Sequence, residues 1–234
     1  MEYNFSDLNN KNIVLSGGNG IIGTDLIEKF KEHNSNLFII DINNKNESNN
    51  NIHKIKGDIT SIKDLNFFYS FVKSKTKHID VLINNAATKT SNLEKYFENF
   101  EEYDIETWNE VINVNVTGAF LMTQTFSNLL KESSKNPCII NVSSIYGHLA
   151  PDKRIYSGAK YLGKDINTPA CYSVSKAAIN GLTNYLSTYW SEYNIRSNSI
   201  SPGGIYSGQN QEFIKNYSKR IPLNRMAQVN EISN

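Results

Sequence analysis

The chain has 234 residues, 39% hydrophobic and 20% charged, with a formal net charge of +1. That length can bury a substantial core in one soluble globular unit, and the near-neutral balance offers neither a basic footprint for nucleic acid nor an acidic tail. Two cysteines, Cys138 and Cys171, make no disulfide framework and no metal cluster, so they read as reduced thiols of a cytoplasmic protein.

The N-terminal stretch MEYNFSDLNNKNIVLSGG lacks the basic and then apolar regions of a signal peptide. No apolar run approaches the roughly 20 residues that cross a bilayer, so no membrane partner is expected. NIVLS (12–16) reads as the first strand and IIGTDLIEKFKEH (21–33) as the first helix. NLFIID (36–41) is the second strand. The asparagine-rich INNKNESNNN (42–51) after it reads as a biased surface loop with no binding role. IHKIKGD (52–58), DVLIN (80–84), CIINVSS (138–144) and IRSNSIS (195–201) read as further strands, and 61–75, 106–133 and 171–193 as further helices. Strand–helix alternation of this kind builds a parallel sheet with helices on both faces. The expected architecture is a single doubly wound Rossmann-type α/β domain over 1–234.

The loop SGGNGIIG (16–23) joins the first strand to the first helix, with Gly17, Gly20 and Gly23 three residues apart. Such a turn needs backbone without Cβ, and the helix start behind it offers free N–H groups to a pyrophosphate. Asp41 ends the second strand, where a carboxylate can accept from ribose hydroxyls and repel a 2′-phosphate; this favours NAD over NADP. Asp58 reads either as a partner for the adenine amino group or as a cap for the helix beginning near Ser61.

SGGNGIIG, INNAA (83–87), VNVTGAF (114–120), INVSSIYG (140–147), YSVSKAAINGLT (172–183) and IRSNSISPGG (195–204) follow in order. On these motifs the chain resembles the short-chain dehydrogenase/reductase family from about residue 5 to its end. The later half, with SSIYG, an insertion beginning APDKRIY and SPGGIY, resembles bacterial members of flagellin modification and surface-polysaccharide biosynthesis. The resemblance implies a dinucleotide held by Gly17, Asn19, Gly20, Ile22, Gly23, Asp41, Asp58, Ile59, Asn85, Ala86, Lys176, Pro202, Gly203 and Ile205, with Asn84 to Ala87 lining its adenosine side. It also implies that Asn115 holds a water for proton relay, that Ser144 binds the substrate oxygen, and that Tyr172 and Lys176 complete the catalytic set.

The chemistry agrees. Hydride transfer between a carbinol and a nicotinamide needs a group to carry the oxygen's proton. Free tyrosine titrates near 10, and a lysine ammonium one helical turn away should lower that value. The pattern Y-x-x-x-K occurs twice, as Tyr156/Lys160 and Tyr172/Lys176. Gly158 and Gly163 weaken any helix around the first pair, and Pro169 ends that stretch. Tyr172 instead opens a long segment with one apolar face (Val174, Ala178, Leu182, Tyr185, Leu186, Tyr189), so the second pair is the expected active one. Residues 149–169 then become an insertion beside the site. It reads either as a surface loop of no consequence or as a lid in which Lys153 or Arg154 meets a phosphate or carboxylate and Tyr156 packs on a sugar ring, with Tyr206 as another substrate contact.

The pattern departs from the family in places. The glycine spacing G-x-x-G-x-x-G is similar to that of longer sugar-nucleotide epimerases and dehydratases. No threonine follows the Pro-Gly turn, leaving Ser207 as the nearest hydroxyl, and the chain stops at RMAQVNEISN, where relatives continue into another helix and an edge strand. The expected function is an NAD-dependent oxidoreductase acting on a hydroxyl or ketone of a sugar or sugar phosphate. A silent NAD-binding regulator or fragment and an epimerase or dehydratase stand as alternatives. The expected partners are a small-molecule substrate and further copies of the chain, as a homodimer or homotetramer joined through 106–131 and 172–193.

Overall fold

Strands without polar alternation fit only where both faces are covered. β1 (Asn12–Ser16), β2 (Asn36–Asp41) and β5 (Val81–Asn84) are such strands, buried along almost their whole length. The structure is a computed structural model that describes residues 6–134, 136–161 and 163–233. α1 (Ile21–Glu32) follows β1, and the short β3 (Glu47–Asn49) and β4 (Ile52–Lys56) follow β2. α2 (Ile62–Lys75) leads into β5, and α3 (Leu93–Tyr96), α4 (Ile105–Ile112) and α5 (Ala119–Lys131) lead to β6 (Cys138–Val142). A small hairpin, β7 (Lys160–Tyr161) and β8 (Lys164–Asp165), precedes α6 (Ala170–Tyr189), β9 (Arg196–Ile200), α7 (Gln211–Ser218) and α8 (Asn230–Ser233).

The main sheet runs β3-β4-β2-β1-β5-β6-β9, parallel throughout except for β3. The six strands expected from the apolar runs are these parallel ones. β3 was not expected, because it lies in the asparagine-rich loop and all three of its residues are exposed. Leu26, Ile27 and Phe30 of α1 cover one face over Ile13, Leu15, Leu37 and Ile39. Phe68 of α2, Phe126 of α5 and Leu186 of α6 cover the other over Val14, Phe38, Ile40 and Leu82. Chain order reverses at β1, which has β2 on one side and β5 on the other. Open α/β sheets bind ligands in the crevice beyond the strand ends at such a reversal.

A polar chain crosses the buried sheet and fixes two helices on it. Asn84 of β5 donates from Nδ2 to Thr123 Oγ1 of α5 at 2.9 Å and to Asn141 Oδ1 of β6 at 2.8 Å. Asn141 Nδ2 donates in turn to Thr183 Oγ1 of α6 at 2.9 Å. Buried amides are costly unless paired, so this chain specifies how far along β6 the helix α6 must sit. It also corrects the expectation for Asn84. Its side chain is 5% exposed, with both Nδ2 donors committed to Thr123 and Asn141 and its Oδ1 buried without a partner, so it does not face the adenosine side.

The helix expected over 106–133 is interrupted by a π-helical turn, Asn113–Gly118, between α4 and α5. Such a turn leaves the apolar spacing nearly helical, which is why periodicity hides it. Residues 149–169 form a 3-10 turn (Lys153–Tyr156) and the β7–β8 hairpin. Ile155 and Tyr156 pack in one cluster with Phe213 and Tyr217 of α7 and with Met226. Among the described residues no helix is long and apolar enough to cross a membrane. Replacing Asn141 by Ala should destabilise the protein by roughly 2 kcal/mol, since it leaves one buried donor of Asn84 and a buried hydroxyl on Thr183 short of a partner. Urea denaturation of the two proteins measures it.

Candidate active site

At the reversal point the glycine loop turns tightly against the chain leaving β5. Gly17 has φ +73°, and a Cβ there would lie 2.6 Å from Ala86 Cα. Asn85 fastens the same turn, donating from Nδ2 to Gly17 O at 2.8 Å and to Ser16 O at 3.3 Å. Gly20 differs. A Cβ there would meet no protein atom nearer than Gly17 O at 3.5 Å, so packing does not require the bare backbone. Gly20 is exposed, and it opens the 12-residue α1 without a side-chain cap. An uncapped helix start reached over bare backbone fits a pyrophosphate.

Asp41 stands beside this loop and accepts from Asn19 N at 3.0 Å and from Asn43 N at 2.9 Å. Asp58 accepts from the backbone N–H and the hydroxyl of Thr60, both at 2.8 Å. It does not cap α2; Ser61 does, accepting from Asp64 N at 3.2 Å. Ile59 is buried, and its side chain packs where a Cβ on Gly118 would intrude, at 2.4 Å. Ile22 lies half-buried against the α1 face of the core. Past β9, Pro202 O accepts from Ile145 N at 3.0 Å, and Gly204 N, next to Gly203, donates to Tyr217 Oη at 2.5 Å. Ile205 forms a bridge with Ala227.

α6 carries both Tyr172 and Lys176, whereas Tyr156 ends a 3-10 turn and Lys160 lies in β7. The Lys176 chain runs inward, is 5% exposed, and donates from Nζ to Val142 O at 2.8 Å. Its Nζ lies 5.8 Å from the centroid of the Tyr172 ring. Burial pulls the Lys176 amine down to about 8. Val142 takes one of three ammonium donors, so the group fits a site that receives ribose hydroxyls. Ser144 follows β6, accepts from Tyr146 N at 3.2 Å, and has its hydroxyl beside that of Tyr172. Burial pushes the Tyr172 hydroxyl above its ordinary value, and the Ser144 hydrogen bond opposes that shift. The simple expectation of a tyrosine lowered by its lysine neighbour is thus corrected: desolvation is the larger effect, and the ammonium rests on Val142 O over the ring.

Asn115 sits in the π-helical turn, buried, with both ends of its amide in use. Its Oδ1 accepts from Thr88 N at 2.9 Å, and its Nδ2 donates to Ser175 Oγ at 3.1 Å. Ser175 Oγ donates to Tyr172 O at 2.8 Å. The side chain expected to hold a water therefore ties the loop after β5 to the first turn of α6. Sequence reasoning missed Ser175, although its place immediately before Lys176 on the inward face of a helix was a signal.

On the substrate side, Arg154 does not face the site. Its side chain is 80% exposed and pairs with Asp152 at 2.9 Å, and Arg220 Nε reaches the same carboxylate at 2.7 Å. Both arginines hold Asp152 well below the usual carboxylate range. Lys153 is also exposed. Tyr156 is placed nearer the chemistry: its hydroxyl hydrogen-bonds Thr168 and Tyr146, and its ring lies 5.5 Å from that of Phe213. Tyr206 is 46% exposed, and Ser207 is engaged with Gln209.

Known proteins resemble this chain in sequence and fold. Residues 11–166 match the family model for short chain dehydrogenase, and residues 161–234 match the one for enoyl-(acyl carrier protein) reductase. Post-translational flagellin modification protein A of Campylobacter coli is 29% identical across 96% of this chain and 89% of its own length. The 3alpha-hydroxysteroid dehydrogenase of Mediterraneibacter gnavus is 27% identical across 98% of this chain and 89% of its own. The crystal structure of a short chain dehydrogenase from Leptospira borgpetersenii with bound NAD+ superimposes with a TM-score of 0.85 at 35% identity, covering 100% of this chain and 87% of that one.

Lys176 makes stability depend on pH. An unfolded lysine keeps its proton to about pH 10.5, and folded Lys176 releases it near 8. Between those values the unfolded state binds more protons, so stability rises with pH, by up to ~1.4 kcal/mol per unit from this group. Denaturation at pH 8 and pH 9 should show that rise in the wild type and its loss in Lys176→Met.

Proposed function

This chain belongs to the short-chain dehydrogenase/reductase family, and on that premise we propose an NAD-dependent oxidoreductase that interconverts a hydroxyl and a ketone, with Tyr172 carrying the proton. The observation that carries this reading is the buried Lys176 one turn from Tyr172, with the Ser144 hydroxyl on the phenol, at the sheet edge that holds the glycine loop. The Leptospira structure was solved with NAD+ bound, which together with Asp41 supports NAD as the cofactor.

The bound nicotinamide supplies the hydride acceptor or donor. Ser144 fixes the reacting oxygen beside Tyr172 and steadies charge as it develops there. In the reducing direction neutral Tyr172 gives its hydroxyl proton to the carbonyl oxygen. In the oxidising direction its phenolate takes the proton from the alcohol. Burial keeps the phenol protonated, which favours the acid role near neutrality. Lys176, charged below about pH 8, lowers the cost of a phenolate and presents its remaining donors to the cofactor's ribose. Asn115 positions Tyr172 through Ser175.

The substrate class proposed is a sugar or sugar phosphate of surface-glycan synthesis. The likeness to the flagellin modification protein supports it, as do the hydroxyls of Tyr146 and Tyr156 near Tyr172 and the ring of Phe213 against Tyr156. Residues 1–234 act as one cytoplasmic domain, with 149–169 as the wall over the substrate. Copies of the chain pair through α5 and α6, where Phe120, Val174, Tyr185 and Tyr189 are 45% to 59% exposed.

Turnover of a panel of sugars, sugar phosphates and alcohols with NAD tests the reading. Tyr172→Phe should lower kcat by about 10²–10⁴ while NADH binding changes little. Activity that survives in Tyr172→Phe contradicts the mechanism, and NADH binding without turnover on any substrate leaves a silent dinucleotide binder. With the true substrate, kcat/KM for oxidation should rise as pH increases toward the Tyr172 titration, and kcat/KM for reduction should fall.

A further inference from the structure

The asparagine run after β2 contains one residue that is not surface decoration. Asn44 is 5% exposed. Its Nδ2 donates to Ile39 O at 3.2 Å and to Ile55 O at 2.9 Å, and so bridges β2 and β4. Both donors being committed, the amide oxygen has a fixed direction, and it accepts from Asn19 Nδ2 at 3.1 Å. Asn19 belongs to the glycine loop, and its backbone N–H donates to Asp41 Oδ2 at 3.0 Å. The other oxygen of Asp41 is held by Asn43 N at 2.9 Å, within a turn that Asn44 closes by donating its own N–H to Asp41 O at 3.2 Å. The buried amide therefore holds the glycine loop to the β2 turn, and both attachments converge on one carboxylate.

We propose that Asn44 is a positioning residue for cofactor choice: acting through Asn19, it holds the Asp41 carboxylate where it accepts a ribose 2′-hydroxyl and repels a 2′-phosphate. The inference rests on the dinucleotide reading of the site. A carboxylate discriminates between these groups only while it cannot turn away, because a mobile anion escapes a phosphate by rotating or drawing in solvent. Hydrogen bonds to both oxygens remove that escape. A buried amide with its donors on the carbonyls of two neighbouring strands supplies the rigid anchor that an exposed asparagine on a loop lacks.

Fluorescence titration with NADH and NADPH tests it on wild type, Asn19→Ala, Asn44→Ala and the double variant. The wild type should prefer NADH. Each single variant should lower the NADH:NADPH affinity ratio by about fivefold, the size of the one neutral amide hydrogen bond that both remove, and the double variant should lower it no further. Asn19 is exposed, so Asn19→Ala carries the test should Asn44→Ala fail to fold. Ratios unchanged within about twofold, equal weakening of both cofactors, or additive effects in the double variant would overturn the inference while leaving the cofactor site standing. A wild type that binds neither dinucleotide, or prefers NADPH, overturns both the inference and the NAD reading.

Discussion

A lysine amine buried at the end of β6 is the constraint on which the site depends. An unpaired ammonium in a protein interior is costly, and buried Lys176 meets that cost by donating to Val142 O over an aromatic ring. The Val142 contact demands that α6 sit on β6 in one register, whereas the Tyr172 ring rides on α6 with Lys176. That register is held at several points. Ser143 Oγ donates to Lys176 O at 2.9 Å, and Gly147 passes so near that a Cβ would lie 2.7 Å from Lys176 O. Thr183, two turns further along, closes the Asn84–Asn141 chain.

From this clamp the rest of the edge follows. β6 continues into Ser144, which reaches Tyr172, and Ile145 N ties the next turn to Pro202 past β9. On the other side the π-helical turn brings Asn115 to Ser175, so the loops after β5, β6 and β9 converge on the first turn of one helix. The nucleotide end is organised separately, by Asn44, Asn19 and Asp41 at β2. Two assemblies at separate points along one strand-end edge suit a long ligand whose ends are recognised by different chemistry.

Much of this was legible in the residues. Apolar runs located the six parallel strands, because strands buried on both faces have no alternation to obscure them. Glycine placement and the apolar face behind Tyr172 separated the two tyrosine–lysine pairs, and α6 indeed contains only the second. What was hidden depends on polar groups satisfied across long sequence distance. Asn44 looks like its neighbours until the carbonyls of Ile39 and Ile55 are seen to converge on it. Arg154 appeared free for an anion because nothing in the pattern shows that Asp152 turns back onto it and also receives Arg220. Asn84 was expected to line the ligand because the family resemblance carries that role onto INNAA as a block, whereas its side chain points between β5 and β6. The π-helical turn escaped because one extra residue barely alters an apolar period.

The central claim is that one dinucleotide spans the strand-end edge from Asp41 to the Lys176–Tyr172 turn. A crystal structure of the protein with NADH tests it most directly. The account predicts the adenosine ribose on Asp41, the pyrophosphate over Gly20 at the start of α1, and the nicotinamide ribose on Lys176 with its ring beside Tyr172. NADH bound elsewhere, or held at Asp41 with its nicotinamide end away from Lys176 and Tyr172, would contradict it.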